Sequence, residues 1–312
     1  MEQAVFRNRL ASCLKQGTKS GMRTFAWLAM LVVPVSLLVT LLAWSGLLSR
    51  AAVYVAPAFH LVGLPEEAAA AFLTGVLVNC YSGIAAMGSI PMTDKQVTIL
   101  ALMILFAHNL VVEAPVQRKA GSSAVSMIVL RLGSVAAGAA ALSLLMPDDS
   151  GPARARGVAE ASSTAFLAVL ESWAQGTGVL LAKIAALVLG LTIVQRVLDD
   201  FGLIRVLARW LGPVLFLLGL SRRVAFLWMV ANTLGLAYGA GVILDEVERK
   251  GISRDEVDLL NRSIAVCHSL LEDTLLFVAV GASAFWITVP RVVAAALAVW
   301  GTRAWRRMRH HP

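Results

Sequence analysis

The chain has 312 residues, of which 58% are hydrophobic and only 15% are charged. An average soluble domain is about half apolar and about one quarter charged, so this balance excludes an ordinary soluble protein and fits a lipid-embedded one. The net charge of +8 does not indicate a nucleic-acid partner, because the basic residues lie in short clusters between apolar stretches, as cytoplasmic anchors do.

The first half of the chain divides into six segments. Their order is an amphipathic stretch, a spanning helix, a proline-containing interfacial segment, an interrupted apolar stretch and two further apolar helices. The spanning helix is long enough to cross a bilayer and too long for the apolar part of a signal peptide. The boundaries, in that order, are 3–17, 24–48, 50–63, 66–92, 96–112 and 122–145.

The second half repeats this order of segments. Residues 46–64 align without a gap with residues 202–220, and matched positions continue after a short insertion. The equivalent segments are 160–174, 179–198, 205–219, 222–248, 256–276 and 284–302. The chain therefore reads as two homologous repeats, residues 1–145 and 166–312, joined by a linker, residues 146–165.

Each interrupted stretch is compatible with two structures. It forms either one spanning helix or a re-entrant hairpin, whose tip would lie at residues 78–83 in the first half and 232–241 in the second. Non-helical backbone at mid-membrane depth is tolerated only where it is buried in protein or lines a cavity.

The basic residues favour the re-entrant structure. With three crossings in each half, 19 of the 27 Lys and Arg residues fall on the cytoplasmic side, as the positive-inside rule requires. Four fall on the exterior side, namely Arg50, Lys95, Arg154 and Arg156. The remaining four lie within helices, namely Arg131, Lys183, Arg262 and Arg291. We predict an all-α integral protein of the cytoplasmic (inner) membrane. It has two inverted-topology repeats, each with an amphipathic helix, three spanning helices and one re-entrant helical hairpin.

The second tip carries a local motif. Residues 231–242 read ANTLGLAYGAGV and resemble the Asn-x-Leu-Gly-Leu-Gly hairpin tip of spore maturation proteins. The order of interfacial helix, hairpin and polar-marked helix resembles the gate, or nucleoside-recognition, domain of those proteins, of concentrative nucleoside transporters and of ferrous-iron permeases. The resemblance implies a transporter-like core, although the nucleoside-contacting Gly-Gln-Thr-Glu-Ala-Pro tip occurs at neither hairpin.

Polar residues at the two tips are candidates for substrate binding, because discontinuous helices in inverted-repeat transporters present free backbone groups to the substrate. The alternative is a seam where small residues let helices pack closely. The candidate residues are Asn79, Tyr81, Ser82, Asn232, Thr233 and Tyr238.

Ionisable residues in apolar helices form a second set of candidates. Because such residues are costly in a membrane, they mark ion or proton paths, unless they cap a wetted helix end. The coupling candidates are His108, Glu113, His268, Glu272 and Asp273. Arg131 and Arg291 occupy one repeat position, and we expect each to form a structural ion pair rather than to bind an anionic substrate.

These features favour a small secondary transporter or permease that moves a small polar solute by alternating access, with its site between the tips. The alternatives are a non-transporting scaffold or accessory subunit of the spore-maturation type and, less favoured, a metal-ion permease. His60, Cys80, Cys267 and His268 offer soft ligands without a recognisable spacing. Common enzyme and nucleotide motifs are absent, so we expect no enzyme, cofactor or metal site. Homo-oligomerisation is compatible with the sequence.

The charge asymmetry predicts that both termini are cytoplasmic and that the linker is exterior. Reporter proteins that are active on only one side of the membrane, fused at position 155 and at the C-terminus, test this topology. A reporter at position 155 should be active only when it is a periplasmic type. Activity of a cytoplasmic reporter at that position would contradict the inverted-repeat arrangement.

Overall fold

The computed structural model describes residues 2–45, 57–77, 79–88, 90–148, 166–203, 212–233 and 251–309, with isolated positions between these ranges. These residues form helices and turns without a β-strand, so the all-α prediction is confirmed for them. Most of the predicted linker and the second hairpin tip beyond residue 235 lie outside the described residues.

Eleven helices and one 3-10 turn are delimited within the described residues. In the first half they are α1 Glu2–Trp44, α2 Ala68–Leu77, α3 Cys80–Gly88, α4 Asp94–Ala107, α5 Leu110–Lys119 and α6 Ala124–Leu145. In the second half they are α7 Phe166–Asp200, α8 Gly212–Leu217, the 3-10 turn Arg222–Val224, α9 Arg254–Val266, α10 Glu272–Ala279 and α11 Ala284–Arg309. Residues 225–233 are also helical.

The first helix of each half is longer than predicted. The amphipathic and spanning segments of each half form one continuous helix, α1 with 43 residues and α7 with 35 residues, where the sequence predicted two separate elements. The connecting residues 18–23 contain no proline to interrupt the backbone hydrogen bonds. Helix α1 is thus about 65 Å long at 1.5 Å per residue, which exceeds the thickness of a bilayer.

Helices α1 and α7 pack antiparallel along their length. Near one end, the Arg9 guanidinium bonds the Asp200 carboxylate at 3.0 Å. At the other end, the rings of Trp44 and Phe166 lie 5.2 Å apart. Between these ends, small residues of α1 face α7, which lets the two backbones approach closely.

Helices α2 and α3 form a helical hairpin. They pack against each other, and a Cβ built on Gly83 would lie 3.2 Å from the Cα atom of Gly75. The two glycines also leave space for Ile104 of α4, whose side chain lies within about 3 Å of either built Cβ. Each glycine therefore serves a close approach between three helices.

Two helices that the sequence predicted to be continuous, over 96–112 and 256–276, are broken. The first becomes α4 and α5, and the second becomes α9 and α10. Asn109 and Ser269, at equivalent positions of the breaks, adopt left-handed backbone angles, with φ of 54° and 47°, which few residues other than glycine adopt. The amide of Asn109 donates to Gly75 O at 3.1 Å, and that of Ser269 donates to Ala231 O at 3.3 Å.

These breaks contradict the predicted continuous helices for a physical reason. The carbonyl groups released at each break accept hydrogen bonds from a buried arginine on the following long helix, Arg131 or Arg291. The guanidinium therefore supplies donors that the helix no longer provides. Neither break contains a proline or a glycine, so the sequence offers no conventional breaker there.

The same turn geometry recurs at matched positions of the two halves. Gly63 and Gly219 have φ of 75° and 73°, and Gly121 and Gly281 have φ of 105° and 97°. In all four turns the glycine amide and the following amide donate back into the preceding helix, as in a Schellman C-cap. Glycine is required at these positions because a Cβ atom is strained at such angles.

Helices α4, α6, α9 and α11 form the centre of the described structure. Each half's broken helix packs on the long helix that follows it, and α9 and α11 also contact α6 and α4 of the other half. Within the described residues, α6 and α11 are long and apolar enough to span a membrane by length and composition. The helix breaks and the buried arginines therefore lie where the two halves meet.

The contact between α1 and α7 predicts that Gly17→Leu destabilises the protein. A Cβ at Gly17 would lie 2.9 Å from the Cα atom of Ile193, so the helices must separate, at a cost of about 1–3 kcal/mol. Gly190→Leu on α7 is the matched control, because nothing lies within 4 Å of its built Cβ. Melting temperatures in detergent measure both, and equal melting temperatures for the two variants would contradict this packing.

Candidate functional site

Arg131 of α6 is fully buried and holds the first helix break together. Its Nε donates to Phe106 O at 2.8 Å, and its Nη2 donates to His108 O at 2.5 Å. Its Nη1 bonds Glu113 Oε2 of α5 at 2.7 Å. One guanidinium therefore joins both sides of the break, and its charge is balanced by a carboxylate.

Arg291 of α11 occupies the equivalent place beside the second break. Its Nη2 donates to His268 O, which matches the bond from Arg131 to His108. The nearest carboxylate, that of Asp273, lies 4.0 Å away. Its Nε and Nη1 find no hydrogen-bond acceptor among the described residues. The second break is therefore held by fewer hydrogen bonds than the first.

The two histidines of the breaks face each other. Their Nε2 atoms lie 3.2 Å apart, and both side chains are buried. The Nδ1 of His268 lies 2.7 Å from Ile264 O, and the Nδ1 of His108 lies 3.3 and 3.2 Å from the carbonyls of Ile104 and Leu105. A carbonyl oxygen can only accept, so both rings carry a proton on Nδ1 and direct Nε2 toward the shared space.

Two carboxylates border this space. Glu113 Oε1 lies 3.2 Å from His268 Nε2 and 3.9 Å from His108 Nε2. Asp273 Oδ2 lies 3.6 Å from His108 Nε2 and has no hydrogen-bond donor among the described residues. The thiol of Cys80 donates to the other Asp273 oxygen at 3.6 Å. Each half thus contributes one histidine and one acid, and each acid lies near the histidine of the other half.

The first hairpin tip reaches the second break. The hydroxyl group of Tyr81 donates to Glu272 Oε1, a contact between residues far apart in sequence. Asn79 Oδ1 accepts from the Ser82 amide at 2.9 Å, so Asn79 caps the first turn of α3. Ser82 Oγ is buried without a hydrogen-bond partner within the described part of the chain.

The second tip is described only at its start. Asn232 Nδ2 donates to Trp228 O at 2.9 Å, and its buried Oδ1 lacks a donor among the described residues. The Thr233 hydroxyl donates to Met229 O at 2.8 Å in its own helix. Tyr238 lies outside the described residues, so the structure assigns it no contact.

A second polar cluster, which the sequence did not indicate as a unit, joins the halves elsewhere. Asp258 accepts from Ser122 at 2.8 Å and pairs with Arg262 at 3.0 Å and Arg306 at 2.5 Å. Asn261 donates to Ser122 at 2.9 Å. The available signal was the four-residue spacing of Asp258 and Arg262 on one helix face.

The chain is similar in sequence to known membrane proteins. A family model described as "Gate: Nucleoside recognition" matches residues 25–124. The chain is 32% identical over 283 residues to the uncharacterized membrane protein YvoD of Bacillus subtilis (strain 168), and the alignment covers 90% of this chain and 91% of that protein. No solved structure gives a significant match.

The unequal bonding of the two arginines predicts unequal effects of substitution. Arg131→Met removes the donors to two carbonyls and leaves Glu113 buried without its partner, which costs about 3–5 kcal/mol. Arg291→Met removes the donor to one carbonyl, that of His268, and a guanidinium that lies 4.0 Å from the Asp273 carboxylate, so its effect should be smaller. Melting temperatures of the two variants in one detergent test this order, and a larger loss for Arg291→Met would contradict it.

Proposed function

We propose that this chain, which belongs to the Gate (nucleoside recognition) family of membrane proteins, is a small secondary transporter or permease for a small polar solute. The solute would bind between the two hairpin tips, beside the paired helix breaks, and reach either side of the cytoplasmic membrane by alternating access. The cluster of His108, His268, Glu113 and Asp273 would couple movement of the solute to that of an ion.

One observation carries this proposal: a hairpin tip of one half meets a helix break of the other. Tyr81 bonds Glu272, and Cys80 bonds Asp273. In transporters built from inverted repeats, discontinuous helices form the substrate and ion sites at the interface between repeats, near the bilayer midplane. The meeting of tip and break supports a site of this kind.

Two features support an inverted arrangement of the halves. The matched first helices, α1 and α7, run antiparallel, as equivalent helices do around an axis in the membrane plane. The matched histidines, His108 and His268, contact each other, as positions near such an axis must. Together with the basic-residue asymmetry, these contacts favour three crossings per half and cytoplasmic termini.

The polar groups around the tips indicate the chemistry of the solute. Ser82 Oγ and Asn232 Oδ1 are buried and unpaired among the described residues, and a buried polar atom without a partner is costly. A hydroxyl or amide group of a neutral or zwitterionic solute would satisfy such atoms. The guanidinium of Arg131, in contrast, is already directed to two backbone carbonyls and to Glu113, so it is not available to an anionic solute.

A non-transporting scaffold or accessory subunit is the second candidate. The observation that favours it is burial: both histidines, Glu113 and Asp273 are each no more than 5% exposed. A transporter requires a state in which solvent reaches the tips, whereas a scaffold does not. Thiol reagents applied from each side to Tyr81→Cys should label a transporter and leave a scaffold unmodified.

The proposed site predicts that Asn232→Ala weakens solute binding more than folding. A thermal-stability screen with nucleosides, zwitterionic amino acids and small neutral solutes first identifies a stabilising solute, because ligands that bind only the folded state raise its melting temperature. Asn232→Ala should abolish most of that shift. Thr302→Ala is the control, because among the described residues this buried hydroxyl donates to Ala298 O of its own helix.

Two results would contradict the proposal. One is that no solute in the screen changes the melting temperature while Tyr81→Cys resists labelling from both sides. The other is that Asn232→Ala lowers the melting temperature but leaves the solute-induced shift intact, which indicates a packing seam rather than a binding site.

A further inference from the structure

Three ligand-type atoms from the two halves form a small triangle inside the protein. Its corners are His108 Nε2, His268 Nε2 and Glu113 Oε1, and its sides measure 3.2, 3.2 and 3.9 Å. The point equidistant from the corners of such a triangle lies about 2.0 Å from each. That distance equals the usual length of a zinc–nitrogen or zinc–carboxylate bond, about 2.0–2.2 Å.

The hydrogen bonds of the two histidines direct both Nε2 atoms to this point. Each Nδ1 already donates to a backbone carbonyl, so Nε2 is the atom of each ring that remains for a ligand, and the two Nε2 atoms lie 3.2 Å apart. Two Nε2 lone pairs at that distance repel unless a proton or a metal cation lies between them. A carboxylate oxygen at the third corner adds to the same negative potential.

We propose that His108, His268 and Glu113 bind a divalent first-row transition-metal ion such as Zn²⁺. Two imidazoles and one carboxylate form a known three-ligand zinc set, in which the fourth position is open to water or a substrate. The ligands come from both sequence repeats, so the ion would link the two halves directly. The sequence did not indicate this site because its ligands follow no short spacing.

The surroundings of the triangle resemble the outer shell of a metal site. Metal-bound histidines usually donate their second ring nitrogen to a carbonyl or carboxylate, and both histidines do so here. The second oxygen of Glu113 is fixed by Arg131 at 2.7 Å. The ligand atoms are therefore oriented before any ion binds.

Asp273 indicates what occupies the open position. Its Oδ2 is buried, lies 3.6 Å from His108 Nε2 and accepts no hydrogen bond from the described residues. A water molecule on the metal would donate to this oxygen. Cys80 bonds the other oxygen of Asp273 and orients it.

The formal charges permit a divalent ion. Two guanidiniums, Arg131 and Arg291, face three carboxylates, those of Glu113, Asp273 and Glu272. The cluster thus changes from one net negative charge to one net positive charge when a divalent ion binds. This inference goes beyond the proposed function, because it concerns equilibrium binding and stands whether or not the chain transports a solute.

A single chain variant isolates the proposed site. The sequence contains five histidines, and His60→Asn, His310→Asn and His311→Asn together remove all but the proposed pair. This variant, the natural chain, and the same variant carrying His268→Asn are purified at full length in detergent. Each is stripped with chelator, loaded with Zn²⁺, desalted and assayed for bound metal by mass spectrometry.

We expect one zinc ion per chain in the natural protein and in the variant that lacks His60, His310 and His311. Adding His268→Asn to that variant should lower the affinity for zinc at least about tenfold. Cobalt loading should give the strong visible absorption of a four-coordinate site in the first two proteins only. The proposal is overturned if the natural chain retains no metal, which is the result expected if the two histidine rings share a proton instead. Equal retention by the His268→Asn protein also overturns it.

X-ray absorption of the zinc-loaded variant that lacks His60, His310 and His311 decides the case if His268→Asn does not fold. Two imidazoles with oxygen ligands support the site. A coordination shell of sulfur, or of oxygen alone, overturns it.

Discussion

The structure depends on two buried arginines, which lie on apolar helices and pack against the helix breaks. A charged guanidinium is costly in hydrocarbon and needs hydrogen-bond acceptors and a counter-charge. Arg131 obtains both from the first helix break, where two carbonyls and Glu113 surround it. Arg291 bonds the equivalent carbonyl of the second break. The breaks and the arginines are therefore interdependent: the released carbonyls require donors, and the guanidiniums require acceptors at that depth.

This arrangement places chemistry where the halves meet. Each break contains a histidine, and the two rings face each other with Glu113 and Asp273 beside them. The first hairpin adds Tyr81, which bonds Glu272, and Cys80, which bonds Asp273. Because these ionisable side chains come from both halves, a relative motion of the halves would change the distances between them. In the proposed transporter, such a change would couple ion binding to alternating access.

Much of the helical content was predictable, since long apolar segments give α6 nearly at the predicted boundaries and α11 with the predicted start, although α11 continues past the predicted end at 302 to Arg309. The alignment also placed His108 with His268 and Arg131 with Arg291. The helix breaks were not predictable, because they contain no proline or glycine. They depend instead on the left-handed backbone conformation of Asn109 and Ser269. Contacts such as Tyr81 with Glu272 depend on how the halves pack, which local sequence does not encode. The continuity of α1 was not predicted, because the amphipathic segment 3–17 and the apolar segment 24–48 differ in composition although one helix continues from the first into the second.

The two helix breaks meet at the pair His108 and His268. A double-mutant cycle with His108→Asn and His268→Asn measures this contact directly, by unfolding in mixed detergent with chelator present. Residues in contact interact by about 0.5–3 kcal/mol, whereas distant residues have additive effects. We expect a non-additive cycle for this pair and an additive one for His60→Asn with His268→Asn, because His60 lies on the surface beside Glu66. Additive effects of His108→Asn and His268→Asn would contradict this contact.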